Sequence, residues 1–173
     1  MRSTVVLATA FLMLGLVAVP AAGAGRVSTV QSLERDVVAQ VNAVRRQHGL
    51  APLRVSSRLA LAARFHSTEM GRVGYFGHAS ADGMDPITRL ARFYPRGRYR
   101  SWWVGENLYW WSTTVDARQV VAAWLGSPPH RKQLLAPQYR EVGISAVHVD
   151  DAPGLFRGLS PTIVTADFGV RAR

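Results

Sequence analysis

The stretch Trp102-Trp103-Val104-Gly105-Glu106-Asn107-Leu108-Tyr109-Trp110-Trp111 constrains the fold more than any other part of the chain. Tryptophan, tyrosine and valine suit a pleated, half-buried surface, so the stretch reads as a buried strand. It carries one carboxylate, Glu106, at its centre. A carboxylate in such a segment is costly to desolvate unless something pairs with it. Two histidines flank it in sequence: His78 in Phe76-Gly77-His78-Ala79-Ser80, and His130 in Ser127-Pro128-Pro129-His130. The expectation is that Glu106 and these two imidazoles meet in one cleft.

Where such a cleft would work follows from the start of the chain. Arg2, the apolar run Val5 to Val19 and the small-residue pattern Ala22-Gly23-Ala24 have the order of a secretory signal peptide. The run falls short of the roughly 20 residues a spanning helix needs, which disfavours the alternative of an uncleaved anchor. Residues 1–24 are therefore assigned as a signal peptide cleaved after Ala24, residues 25–31 as a linker and residues 32–171 as one domain. The mature chain is expected to lack a transmembrane span and to be extracellular. The sequence contains no Cys, which excludes thiol catalysis and thiolate metal sites. A domain of this size needs no disulfide to bury a core. Lys and Arg number 21 against 11 Asp and Glu, a net charge of +10. Outside a cell that excess suits anionic wall polymers or lipid headgroups, and it is equally consistent with an inert basic surface.

The remaining segments can be placed in order. Ser28 with Gln31 fits a capping box, and Val30, Leu33, Val37, Val41 and Val44 recur at helical spacing until His48-Gly49. A second helix starts near Ser56 or Ser57 and puts Leu59, Ala62, Ala63, His66 and Met70 on one face, with Gly71 and Gly74 ending it. His66 on that face reads as a hydrogen-bonded core residue rather than a ligand. Asp85-Pro86 reads as an N-cap followed by a first-turn proline, opening a short amphipathic helix with Ile87, Leu90 and Ala91. Arg96, Arg98 and Arg100 interleave with Tyr94 and Tyr99, a mixture able to bind anionic polymers. Its shortness favours an ordinary solvated loop, and export argues against nucleic acid. After the Trp-rich stretch, Asp116 opens a helix burying Val120, Val121, Trp124 and Leu125. Gly126 breaks it, and Ser127-Pro128 starts a short turn of helix carrying His130. The last third alternates: the runs Val142 to His148 and Ile163 to Val170, joined by a Pro/Gly-rich stretch, predict an antiparallel hairpin. The alternation does not say whether His148 and Asp167 face the cleft or the solvent.

Several of these segments together resemble the CAP superfamily, or SCP domain, which includes cysteine-rich secretory proteins, antigen 5 and plant pathogenesis-related proteins. The resemblance is nearest to its short bacterial branch. It rests on Ala62-Ala63-Arg64-Phe65-His66-Ser67 with Met70, Phe76-Gly77-His78, Asp82-Gly83 and Gly105-Glu106-Asn107-Leu108. It continues through Ala123-Trp124, Ser127-Pro128-Pro129-His130-Arg131, Tyr139-Arg140-Glu141-Val142-Gly143 and Phe168-Gly169. The ordered set covers roughly residues 32 to 170 and is specific where each motif alone is weak. It implies an α+β fold, a three-layer α-β-α sandwich around a central antiparallel sheet. It also implies a cleft with two His and two Glu, of which His78, Glu106 and His130 match three. The segment that should supply the second Glu, Trp124-Leu125-Gly126-Ser127, has no carboxylate, and Ser127 stands nearest to it. The family's run after the second His is replaced by Arg131-Lys132-Gln133.

Four roles compete for such a cleft. His78 and His130 with Glu106 as third ligand or base match a catalytic zinc site, or one for another divalent metal. Glu106 and a histidine could act as an acid–base pair in a protease-like hydrolase, although no serine nucleophile motif accompanies them. The three could form a purely structural network. The leading expectation is an extracellular binding module holding a lipid, a glycan or a cell-wall polymer fragment, because that role requires no missing catalytic part.

Overall fold

A computed structural model describes residues 25–173; the signal-peptide assignment and its cleavage after Ala24 lie outside the described residues. Along the chain run β1 (Val27–Thr29), α1 (Gln31–Gln47), β2 (Arg54–Val55), α2 (Ser57–Val73) and α3 (Pro86–Phe93). There follow β3 (Ser101–Trp111), α4 (Ala117–Gly126), α5 (Pro128–Leu134), β4 (Glu141–Val149), a single 3-10 turn (Gly154–Phe156) and β5 (Thr162–Ala172). The sheet order is β1-β4-β5-β3, all antiparallel, with β2 added in parallel to β4 beside β1.

Both faces of the sheet are covered, and each strand divides its residues between them by alternation. Val142, Ile144, Ala146, Val164, Ala166 and Phe168 pack under α1, α4 and α5 with Val37, Val41, Val121 and Trp124. The opposite face carries Leu108, Val147, Val149 and Ile163 against Met70 of α2, and Trp102 and Val104 against Leu59 and Leu90. This is the α-β-α sandwich expected of the sequence. The caps read from local sequence are present at Ser56, Asp85 and Asp116, whose side chains accept from Leu59, Thr88 and Gln119 N–H groups. Gly74 closes α2 in the left-handed conformation, with φ 84°.

Four local expectations are corrected. Residues 25–31 do not hang free. Val27–Thr29 pairs with Val149–Val147 of β4, and Val30 N–H donates to Ala146 O at 2.9 Å. Ser28 therefore lies in a strand and cannot cap. The N-cap of α1 is Val30, without a side-chain cap bond. Long-range strand pairing has overridden a local signal. Second, β3 is an edge strand rather than a buried one. Trp103 is 60% and Trp111 49% exposed, and only Glu106, Asn107 and Leu108 in its middle are buried. Third, α3 turns Arg89 and Leu90 inward and leaves Ile87 exposed. Fourth, Gly71 does not end α2 but lies within it, against Val149.

Two contacts set the spacing of the layers. Gly143 of β4 lies directly beneath α2, where a Cβ would collide with the main chain of Leu59 and Ala60. On the other side, the buried guanidinium of Arg45 donates to three carbonyls: Ala51 O at 3.0 Å, Leu134 O at 2.9 Å and Ala136 O at 3.0 Å. It thereby ties the end of α1 to the end of α5. In the Arg/Tyr loop Arg96 donates to the carbonyls of Tyr99 and Arg100, and Arg171 of β5 stacks over the buried Tyr94 ring at 4.0 Å.

Candidate functional site

The three residues singled out in sequence converge at the edge of the sheet. Glu106 projects from β3 toward α2 and α3. His78 comes from the loop between those helices, and His130 comes from α5 on the opposite layer, so the pair straddles the strand edge. His78 Nδ1 lies 2.8 Å from Glu106 Oε1, and the two imidazole ring centres are 6.5 Å apart. The cleft they share has a volume of about 420 Å³. Its walls are largely apolar, from Ile87, Leu90, Val104 and Pro129. Asn107 Nδ2 donates to His130 O at 3.0 Å and so fixes α5 against β3. Gly105 permits this approach, since a side chain there would strike Gln133 and Tyr139.

Glu106 has a partner that sequence reasoning missed. Arg89, fully buried, donates from Nη2 to Glu106 Oε2 at 2.5 Å and from Nη1 to His78 O at 2.8 Å and Ser80 Oγ at 3.2 Å. Burial pushes the Glu106 carboxyl up, but the His78 hydrogen bond and the Arg89 charge outweigh it and hold the group below its ordinary value. An ionised carboxylate only accepts, so His78 Nδ1 carries the proton and Nε2 is the free nitrogen of a ring half exposed to solvent. His130 has no side-chain partner among the described residues. Burial, and then the neighbouring His78, lower its pKa.

The other acidic and imidazole groups sort plainly. His66 is a core residue: Nε2 donates to Gly77 O at 2.9 Å, and burial lowers its pKa against the opposing pull of the Glu106 charge. His148 lies far along β4, near Thr162 and Asp150, and does not enter the cleft. Asp167 stands directly opposite Glu106 in the β3–β5 register, wholly buried, with no hydrogen bond of ordinary geometry to either oxygen. Burial raises its pKa well above the usual carboxylate range, and the nearby Glu106 charge adds to the shift. A carboxyl raised this way favours the folded state only at low pH; above the ordinary aspartate value, near 3.8, it progressively penalises folding. Asp167→Asn is therefore expected to stabilise the protein at pH 7 by on the order of 1 kcal/mol. That gain should vanish near pH 3, as urea midpoints at the two pH values would reveal.

Ser127 does not take the place of the missing second Glu. It caps α5 by position only, makes no side-chain cap bond and does not line the cleft. Gln133, whose Oε1 accepts from Tyr139 Oη at 2.7 Å, lines the cleft from α5. Among the described residues, no three His, Asp or Glu side chains converge as a metal-binding group. Both oxygens of Glu106 are committed, one to His78 and one to Arg89. The donor set thus suits two imidazoles with a carboxylate behind one of them, rather than a three-ligand centre.

A three-layer sandwich with a His/Glu cleft at its sheet edge defines an SCP-type domain. The chain belongs to the cysteine-rich secretory protein (CAP) family, whose model matches residues 38–168. The Bacillus subtilis protein YkwD is 33% identical over 120 residues, covering 69% of this chain and 44% of its own length. An outer surface protein of Borrelia burgdorferi superposes with a TM-score of 0.68 at 19% identity, over 85% of this chain and 98% of that one. An extracellular SCP-domain protein of Bacillus anthracis superposes at 0.62 and 24% identity, over 83% and 41%. At these identities the structural matches show the fold. The chain spans less than half the length of the curated relatives it matches. No helix among the described residues is long and apolar enough to cross a membrane.

Proposed function

We propose that the protein is an extracellular binding module, exported on residues 1–24, whose cleft between α3 and α5 holds a lipid, glycan or wall-derived ligand. The double commitment of Glu106 carries this reading. A carboxylate held ionised by Arg89 and spent on His78 is a poor general acid and has no free oxygen to act as a base. It orients an imidazole instead. The apolar walls supply contact area, and His78 and His130 supply the few fixed polar groups a binding cleft needs. Calorimetric titration with a panel of wall polymer, sterol and fatty acid tests it. At least one ligand is expected to bind, and His78→Ala is expected to weaken it about tenfold, the loss of one good hydrogen bond. Silence across the whole panel would remove the lipid, glycan and wall-derived ligands.

The Glu106–His78 bond favours a metal-assisted form of the same role. Here His78 and His130 would hold a divalent ion such as zinc, with Glu106 raising the basicity of His78 from behind. The ion would supply a Lewis-acidic contact for an anionic group of the ligand. On this reading Glu106→Gln weakens zinc binding about 10- to 100-fold while His78→Ala abolishes it. Equal zinc affinity in all three proteins would remove the metal.

A further inference from the structure

The cleft has an unusual floor: it is the free edge of β3. Val149 N–H donates to Pro161 O, so residues 161, 163, 165, 167 and 169 turn their main-chain groups toward β4. The even residues of β5 then pair with Trp103, Gly105, Asn107 and Tyr109, and β3 presents the main chain of Trp102, Val104, Glu106 and Leu108 outward. Leu108 confirms the phase, since its carbonyl accepts from Trp124 Nε1 at 2.9 Å. Among the described residues no hydrogen bond reaches the N–H or C=O of Trp102, Val104 or Glu106 from that side. No lysine, proline or bulge interrupts residues 101–106, and the one charge there, Glu106, points inward and is paired with Arg89 and His78.

Two cavities meet over this segment. The histidine cleft and a second groove of about 800 Å³ share Val104 and Gln133 as lining. The second groove adds the exposed Trp103 and the cations Arg131 and Lys132. We infer that the occupant of this edge is an extended, acidic segment of a partner polypeptide, added to β3 as a sixth strand. Only a peptide main chain offers donors and acceptors alternating at the spacing of a strand. An acyl chain would leave the edge groups desolvated and unpaired. Arg131 and Lys132 beside the edge select an acidic partner, and Trp102 to Glu106 gives about 14 Å of edge, enough for a segment of about five residues. The inference rests on the binding-module role of this cleft and names a polypeptide in place of a lipid, glycan or wall-derived ligand.

The test begins with an immobilised library of random L-heptapeptides, half of them with a fixed central Asp. Acidic members are expected to be retained, and Arg131→Glu with Lys132→Glu to release them. The best binder is then N-methylated at alternate residues. One phase should weaken binding about tenfold or more and the other little. In parallel, the amides of Val104 and Glu106 should exchange fast in the free protein and slow at least tenfold with peptide. Those of Gly105 and Asn107, already bonded to β5, should not change. N-methylation without phase, or edge amides already slow in the free protein, would overturn main-chain pairing. A silent library beside a wall polymer or lipid that binds would overturn the peptide alone. Silence of library and panel together would remove the binding module as well.

Discussion

Replacing Arg89 with alanine is expected to cost about 3–5 kcal/mol of folding stability, the usual penalty for stripping one partner from a buried ion pair. Arg89 is wholly inside the protein, and so nearly is Glu106; the truncation would leave a carboxylate without its counter-charge. The same change removes the donor to His78 O and Ser80 Oγ, so the His78 loop loses its anchor as well. Urea denaturation would measure the loss. A double variant with Glu106→Gln should recover part of it, because the residual penalty belongs to the orphaned charge. The pH profile carries the sign. Glu106 sits below its ordinary value of 4.5 in the folded state. Its contribution is therefore full above that value and is lost as pH falls through the depressed one. Arg89→Ala should flatten this part of the acid limb. A loss of less than about 1 kcal/mol would contradict a buried, paired Glu106.

Gly143→Ala is expected to be comparably severe, about 3 kcal/mol or more, at the upper end of overpacking effects. The added methyl meets the main chain of α2 at Leu59 and Ala60, and a helix backbone cannot swing aside as a side chain can. To make room α2 must lift from the sheet, which would open the contact of Ser67 Oγ with Thr165 Oγ1 at 2.7 Å and loosen the packing of Met70. Thermal unfolding would show the drop. A variant with an unchanged midpoint would mean that α2 does not rest on β4 as described.

How much of this was legible in the sequence depended on range. Caps at Ser56, Asp85 and Asp116, the Trp-rich strand and the C-terminal hairpin are written in neighbouring residues and could be read directly. The meeting of His78, Glu106 and His130 could be argued because an acid in an apolar strand demands company. Arg89 could not, because on a short helix it looks like any solvated arginine beside Ile87 and Leu90. Asp167 was equally opaque: alternation places it on a face, but only the fold shows that it stands opposite Glu106 with no arginine or other cation bonded to it among the described residues. The strands β1 and β2 exist only because β4 has main-chain groups to offer, and no local pattern announces that. The missing second Glu was visible at once. That Gln133, bonded to Tyr139, would line the cleft was not.

Arg45 has a bearing on the cleft despite its distance from it. α5 is moored at both ends, to Asn107 beside His130 and to the Arg45 guanidinium at Leu134 and Ala136. A short helix held so behaves as a stiff bar across the mouth of the site. Its exposed residues, Pro129, Arg131 and Lys132, lie outside these bonds, so a substitution there would alter what meets the cleft while the gap between the two imidazoles stays set by the moorings.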